Sequence, residues 1–192
     1  NLQELSDLTQ KAFYMADTYR NPVMLLLDGT IAQMMEGVEI RDITFPPIDK
    51  SNWAITGKKG RKEHHIITSI YLDTDTCEKH NHKLFKKYDE IEKNETEVEL
   101  YLTDDAEIII ASYGTSARIV KNAINDLRKK GIKAGLIRPI TLWPFPYAAF
   151  KNISEPCKAV MSIELSMGQM IQDVKIGVAG KSEIGFYGRC GG

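Results

Sequence analysis

Apolar residues recur along this chain first at helical and later at strand spacing, and the change of period divides it. Leu2, Leu5, Leu8, Ala12, Ala16 and Tyr19 step by three and four, which predicts an amphipathic helix. Arg20-Asn21-Pro22 ends it, because the residue before a proline is pushed out of the α region. The continuous run Val23-Met24-Leu25-Leu26-Leu27, closed by Asp28-Gly29, predicts a buried strand. From about 41 to 71 no period holds, and Pro46-Pro47, Gly57 and Gly60 read as linker. Residues from 76 to about 100 predict a charged helix with a sparse apolar line at His80, Leu84, Tyr88, Ile91 and Val98. From Asp104 short apolar runs at 108–111, 134–137, 159–163 and 184–187 predict four strands. Helices fall between them, from the Tyr113-Gly114-Thr115-Ser116 turn to Gly131, over 146–153 and over 170–178. This alternation predicts an α/β fold with an open, doubly wound, mostly parallel sheet.

The second of those strands runs into Arg138-Pro139-Ile140-Thr141-Leu142-Trp143-Pro144-Phe145-Pro146. Three prolines in eight positions, around a Trp and a Phe, are expected to forbid both helix continuation and sheet pairing. The strand is therefore expected to end in a rigid, aromatic-anchored corner. In an open α/β sheet the carboxyl edge is where ligands and partner surfaces are met.

Composition narrows the class. The 192 residues are 43% hydrophobic and 27% charged, enough for a globular core. A net charge of −1 supplies no field for nucleic acid or anionic lipid. No apolar run approaches the roughly 20 residues of a membrane span, and the N-terminus lacks the order of a signal peptide. Cys77, Cys157 and Cys190 form no Cys-x-x-Cys pair, which fits a reducing cytoplasm and supplies no iron–sulfur ligand set. Any redox chemistry then passes its electrons through another polypeptide. The chain opens on Asn1 and closes on Gly188-Arg189-Cys190-Gly191-Gly192, so it reads as a fragment of a longer subunit.

Each candidate for chemistry has a plain structural alternative. At Gly114, Thr115 and Ser116 the free N–H groups and dipole of a helix start suit a phosphate or carboxylate, or a hydroxyl simply caps the helix. A dinucleotide site there requires more glycines than the one present. Gly180-Lys181-Ser182 ends like a phosphate loop, but Lys175 replaces the required glycine and a strand follows, so it is rejected. His64, His65, Cys77, His80 and His82 form a soft-ligand group that reads as a zinc site or as solvated histidines. Lys58-Lys59-Gly60-Arg61-Lys62 suits a phosphorylated cofactor, an acidic partner or plain solvent. Glu164, Gly168 and Gln169 follow the third strand and form a polar site, or Glu164 pairs with Arg138 at a helix entry. Arg189-Cys190-Gly191-Gly192 allows close approach of a partner chain. No nucleophile–base pair is visible.

Asp28-Gly29-Thr30-Ile31-Ala32-Gln33-Met34-Met35-Glu36, the proline corner, the stretch from Glu164 to Met170 and Phe186-Tyr187-Gly188-Arg189 together resemble the α subunit of 2-oxoacid:ferredoxin oxidoreductases. The lengths of linker and charged helix resemble the branched-chain, 3-methyl-2-oxobutanoate type, with the 2-oxoglutarate type close behind. The resemblance implies three parts: the end of a thiamine-diphosphate pyrimidine-binding domain at 1–40, a linker with a long charged helix at 41–103, and a transketolase C-terminal-like domain at 104–192. It implies thiamine diphosphate and Mg²⁺ held mainly by a thiamine-binding β subunit, iron–sulfur clusters in a partner chain, coenzyme A as co-substrate and ferredoxin as electron acceptor. The cofactor-facing residues expected here are Gly114, Thr115, Ser116, Arg138, Glu164, Gly168 and Gln169. No catalytic residue and no metal ligand is expected in this stretch, which alone should be inactive. Gly37, Ser166 and Cys190 depart from the family's usual Pro, Asn and hydroxyl residue. An NAD-linked 2-oxoacid dehydrogenase decarboxylase component and a non-catalytic nucleotide-binding or interaction module are the alternatives.

Overall fold

The structure is a computed structural model that describes residues 1–58 and 60–190. Lys59 of the basic loop and Gly191 and Gly192 of the terminal turn lie outside the described residues. The chain divides into two compact units, one of Asn1–Leu26 with Met34–Asp89, the other of Leu27–Gln33 with Glu90–Gly192.

The first unit is built along helix α1 (Leu2–Tyr19), whose start is capped by the Asn1 side chain accepting from the Glu4 N–H at 2.7 Å. No residue of α1 is buried. An irregular stretch runs beside it, held by two glutamines one heptad apart. Gln3 exchanges hydrogen bonds with the backbone of Glu39 (2.8 and 3.0 Å), and Gln10 with the backbone of Ile43 and Arg41 (3.1 and 2.7 Å). Tyr14 stacks on Phe45 at 4.6 Å. Val23-Met24-Leu25-Leu26-Leu27 does not form the expected strand: it is irregular and its side chains are 37–84% exposed. An apolar run becomes a strand only when neighbours take its N–H and C=O groups, and none of the described residues pairs with it. A short helix α2 (Gly29–Gln33) follows instead.

The charged helix α3 spans Thr74–Glu95 and stops short of the expected boundary near 100. Val98 and Leu100 belong to a strand that the helical reading missed, β1 (Val98–Tyr101). Sheet pairing overrides helical spacing once a neighbour is available. The remaining elements are β2 (Ile108–Ala111), α4 (Gly114–Lys129), β3 (Ala134–Pro139), α5 (Tyr147–Lys151), β4 (Ala159–Glu164), α6 (Met170–Val178) and β5 (Glu183–Gly188). The sheet has five strands in the order β1-β3-β2-β4-β5, all parallel except β1. β3 also runs further than expected: Pro139 stands opposite Val98 at the strand end, where a missing N–H costs least. Phe145 and Pro146 are buried and anchor the corner, Phe145 stacking on Phe150 at 5.4 Å, while Trp143 stays half exposed.

One face of the sheet packs Ile110, Ala134 and Leu136 against Ala117, Val120 and Ile124 of α4. The other packs Ile109, Ala111, Ile137 and Val160 against Phe150 of α5 and Val174 and Val178 of α6. The α5–α6 contact is close enough that a Cβ on Gly177 would stand 2.7 Å from the Cβ of Phe150. β2 is central, with β3 on one side and β4 on the other, so the chain direction switches between β2 and β4. That is where a crevice opens at the carboxyl ends of such a sheet.

Candidate functional site

Ser112, one residue past β2, holds the switch point together. Its hydroxyl donates to the Ile163 carbonyl of β4 at 2.9 Å and meets the Ser116 hydroxyl at 2.9 Å, and its N–H reaches the Ile137 carbonyl of β3 at 3.3 Å. Ser116 in turn donates to the Tyr113 carbonyl at 2.7 Å. Neither Thr115 nor Ser116 is the helix cap that the sequence suggested, since α4 starts at Gly114, whose φ of 61° favours glycine. The anion expected at this helix start is supplied from within the chain. Asp28 accepts from the Thr115 N–H at 3.2 Å and from the Ile31 N–H at 2.9 Å. Burial pushes the Asp28 carboxyl up. The Ile31 N–H, the nearby Thr115 hydroxyl and N–H and the Thr30 N–H outweigh it and leave the group below the usual aspartate range. The Thr115 hydroxyl acts without the alignment of a hydrogen bond.

The second helix start is filled in the same way. Glu164, 1% exposed at the end of β4, accepts from the N–H groups of Gln169 (3.1 Å), Met170 and Ile171 (both 2.9 Å). The Ser162 and Ser166 hydroxyls add bonds of 2.8 Å each. Burial pushes the Glu164 carboxyl up, and the hydrogen bonds from Ser166, Ser162, Met170 and Ile171 more than offset it, so the group sits below the ordinary glutamate range. It is a fixed anion near neutrality, not a proton donor. Burial and the Glu164 charge push the Tyr113 phenol the other way, keeping it protonated. Gly168, at φ 102°, turns the loop against Phe186, and the Arg189 N–H closes it on the Glu164 carbonyl at 3.0 Å.

Arg138 is not part of this constellation. It lies on the α4 face of the sheet, where its Nε donates to Glu99 of β1 at 2.7 Å and Lys121 of α4 pairs with the same carboxylate. The Glu164–Arg138 pair considered from sequence does not form, because the two side chains leave opposite faces. Burial raises the Glu99 carboxyl, and Lys121 and Arg138 bring it below its usual range. Of the residues expected to face a cofactor, Gly114, Thr115, Ser116, Glu164, Gly168 and Gln169 are gathered at the switch point. Asp28, Ser112 and Ser162 complete it and were missed. The signal for the serines was in the sequence, as small hydroxyl residues at the ends of otherwise apolar strands.

The other candidates do not assemble. His65 meets the Ala54 carbonyl at 3.0 Å, His80 stacks on Tyr71 at 4.2 Å, and His82 lies 4.0 Å from Glu78. Among the described residues no three His, Cys, Asp or Glu side chains are placed to hold a metal ion. Arg61 of the basic loop donates to the Gly57 carbonyl. Cys190 is exposed, with its sulfur 3.0 Å from that of Met167. Among the described residues no helix is long and apolar enough to cross a membrane.

Comparisons with known proteins bear on both units. Residues 1–100 match the family model described as pyruvate flavodoxin/ferredoxin oxidoreductase, thiamine diphosphate-binding, and residues 106–192 match pyruvate:ferredoxin oxidoreductase core domain II. The ketoisovalerate oxidoreductase subunit VorB of Methanothermobacter marburgensis is 39% identical over the whole chain, which covers 54% of that relative. The 2-oxoglutarate synthase subunit KorA of the same organism is 28% identical, with all of this chain and 58% of the relative covered. The chain thus spans a little over half the length of the curated relatives it matches. A solved 2-oxoglutarate:ferredoxin oxidoreductase from Magnetococcus marinus, with 2-oxoglutarate, coenzyme A and succinyl-CoA bound, aligns over 63% of this chain and 21% of its own. Its TM-score is 0.51 at 22% identity, a likeness of fold. By the family match over its first hundred residues, the chain belongs to the thiamine diphosphate-binding pyruvate flavodoxin/ferredoxin oxidoreductase family.

Proposed function

We propose that this chain is part of the α subunit of a 2-oxoacid:ferredoxin oxidoreductase acting on 3-methyl-2-oxobutanoate. The observation that carries the reading is the collinear 39% identity, over all 192 residues, to a ketoisovalerate oxidoreductase subunit. In the reaction the bond between the 2-oxo carbon and the carboxylate breaks and CO₂ leaves. A bond forms to the sulfur of coenzyme A, two electrons pass to ferredoxin and the thiol proton is released. Thiamine diphosphate supplies the carbanion chemistry when bound. The partners are a thiamine-binding β subunit, an iron–sulfur subunit and ferredoxin, and the compartment is the cytoplasm.

The described residues hold no metal cluster, and both helix starts at the switch point carry the chain's own carboxylates. These residues therefore do not fit a diphosphate–Mg²⁺ cradle, and the cradle belongs to another part of the assembly. In this reading Gly114, Thr115, Ser116, Glu164, Gly168 and Gln169, with Asp28, hold a rigid crevice floor that faces the cofactor-bearing partner. Arg138 braces β1 against β3. None of them enters the chemistry, and this stretch alone is inactive.

The test is to tag the full-length subunit in its source organism, purify it anaerobically and assay coenzyme A-dependent dye reduction with a panel of 2-oxo acids. Copurification of thiamine-binding and iron–sulfur chains, with preference for branched 2-oxo acids, is expected. A subunit recovered alone and inert, or one that arrives with a lipoyl partner, overturns the reading.

A further inference from the structure

Some cations of the first unit are paired within it. Lys50 pairs with Asp17, and Arg41 with Glu39 at 3.0 Å. Arg20, Lys83 and Lys87 make no ion pair among the described residues. Lys83 and Lys87 stand one turn apart on α3, where like charges face each other and oppose the helix. Lys87 is half-buried. Its Nζ lies 3.0 Å from Asn21 Oδ1 and 5.6 Å from the centre of the Tyr88 ring. Beside Asn21, Arg20 adopts a left-handed backbone at φ 47°, which non-glycine residues adopt at a cost, and its guanidinium sits 5.1 Å from the centre of the Trp53 ring. Burial, then the charges of Arg20 and Lys83, hold the Lys87 ammonium below the usual lysine range. Two of the three cationic heads are thus fixed by ring contacts and one amide, which leave most of their donors unused.

We propose that Arg20, Lys83 and Lys87, with the Trp53 ring beside them, bind the phosphate groups of a nucleotide ligand. Three uncompensated charges repel one another until an anion arrives. Two features favour a phosphate over a broad acidic protein surface. The cations come from two separate elements and converge on Lys87, and Lys87 is partly withdrawn from water, where a compact anion reaches it better than a flat partner. A diphosphate presents several acceptor oxygens at the spacing of a guanidinium fork. The ligand's name rests on the function proposed above: coenzyme A, with a 5′-diphosphate and a 3′-phosphate on its adenosine.

The test uses the assembled full-length enzyme carrying Arg20→Asn and Lys83→Ala together. Asparagine tolerates the left-handed backbone, and Lys83 is an exposed side chain, so folding is retained. Calorimetry with inorganic pyrophosphate should show binding weakened roughly thirtyfold, two charge-assisted contacts being lost. The KM for coenzyme A should rise by a similar factor with kcat unchanged. Unchanged pyrophosphate affinity overturns the site, and loss of a partner chain with that affinity intact reassigns the cluster to an acidic protein surface. Wild-type turnover that ignores coenzyme A removes the proposed reaction instead, and the pyrophosphate arm still judges the site.

Discussion

Replacing Glu164 tests the switch point most directly. The carboxylate is 1% exposed and accepts five hydrogen bonds, three from backbone N–H groups at the start of α6 and two from serine hydroxyls. Bonds to a charged group contribute about 1.5–3 kcal/mol each, but five bonds to one carboxylate are strongly non-additive and its burial opposes them. The expected loss for Glu164→Ala is therefore about 3–5 kcal/mol, the scale on which breaking a buried charged network usually falls. Glu164→Gln keeps one acceptor oxygen for the N–H groups and should lose roughly half as much. Hydrogen exchange of the full-length subunit provides the assay, with the Gln169, Met170 and Ile171 amides losing protection before the core of β2 does. The pH dependence has a definite sign. Because the folded Glu164 carboxyl lies below its ordinary value, its stabilisation is present above the unfolded glutamate range and fades as pH falls through the folded value. Glu164→Gln should abolish that acid-side loss. Protection of the three amides left unchanged in Glu164→Ala would refute the capping role and the reasoning built on it.

Three further outcomes are expected. Gly177→Ala should cost about 1–3 kcal/mol, because its new Cβ meets the Phe150 Cβ and overpacking outweighs the gain in helix propensity; thermal unfolding would show it, with partial relief from Phe150→Leu. Asp28→Asn should cost about 0.5–1.5 kcal/mol by removing an anion from the starts of α2 and α4. The wild-type carboxyl is held low, so the difference should vanish as pH falls through the acid range, read from exchange of the Thr115 amide. Tyr147, whose hydroxyl donates to Asp173, is pushed up to about 12, chiefly by that hydrogen bond. Absorbance titration of Asp173→Asn should bring it back toward 10, and an unmoved titration would discard the bond.

Periodicity is enough for some elements of the chain. Residues 108–111, 159–163 and 170–178 are short apolar runs or faces bounded by turn residues, and each folds as its spacing requires. The family resemblance was likewise legible, since a nine-residue proline corner and a collinear set of segments do not depend on contacts. The same local reading failed at 98–101. Val98 continues the apolar line of α3, yet it pairs with Pro139, which is forty-one positions away in sequence, in a register that only the sheet defines. It failed in the opposite sense at 23–27, where an ideal apolar strand has no neighbour among the described residues and stays irregular. Periodicity reports which face is apolar; it does not report what covers that face.

The candidate site divides on the same line. Amino-acid sequence alone determined the alternation of strands and helices, hence a parallel sheet with a switch point, and it placed Gly114, Thr115, Ser116, Glu164, Gly168 and Gln169 at strand ends beside helix starts. What occupies those helix starts was decided by the tertiary structure. Asp28 reaches the Thr115 N–H from eighty-seven residues upstream, and Glu164 turns back onto α6 instead of toward Arg138 because the two leave opposite faces of the sheet. A helix start attracts whatever anion the fold delivers, and strand direction and sheet face, which exist only after pairing, select which carboxylate arrives.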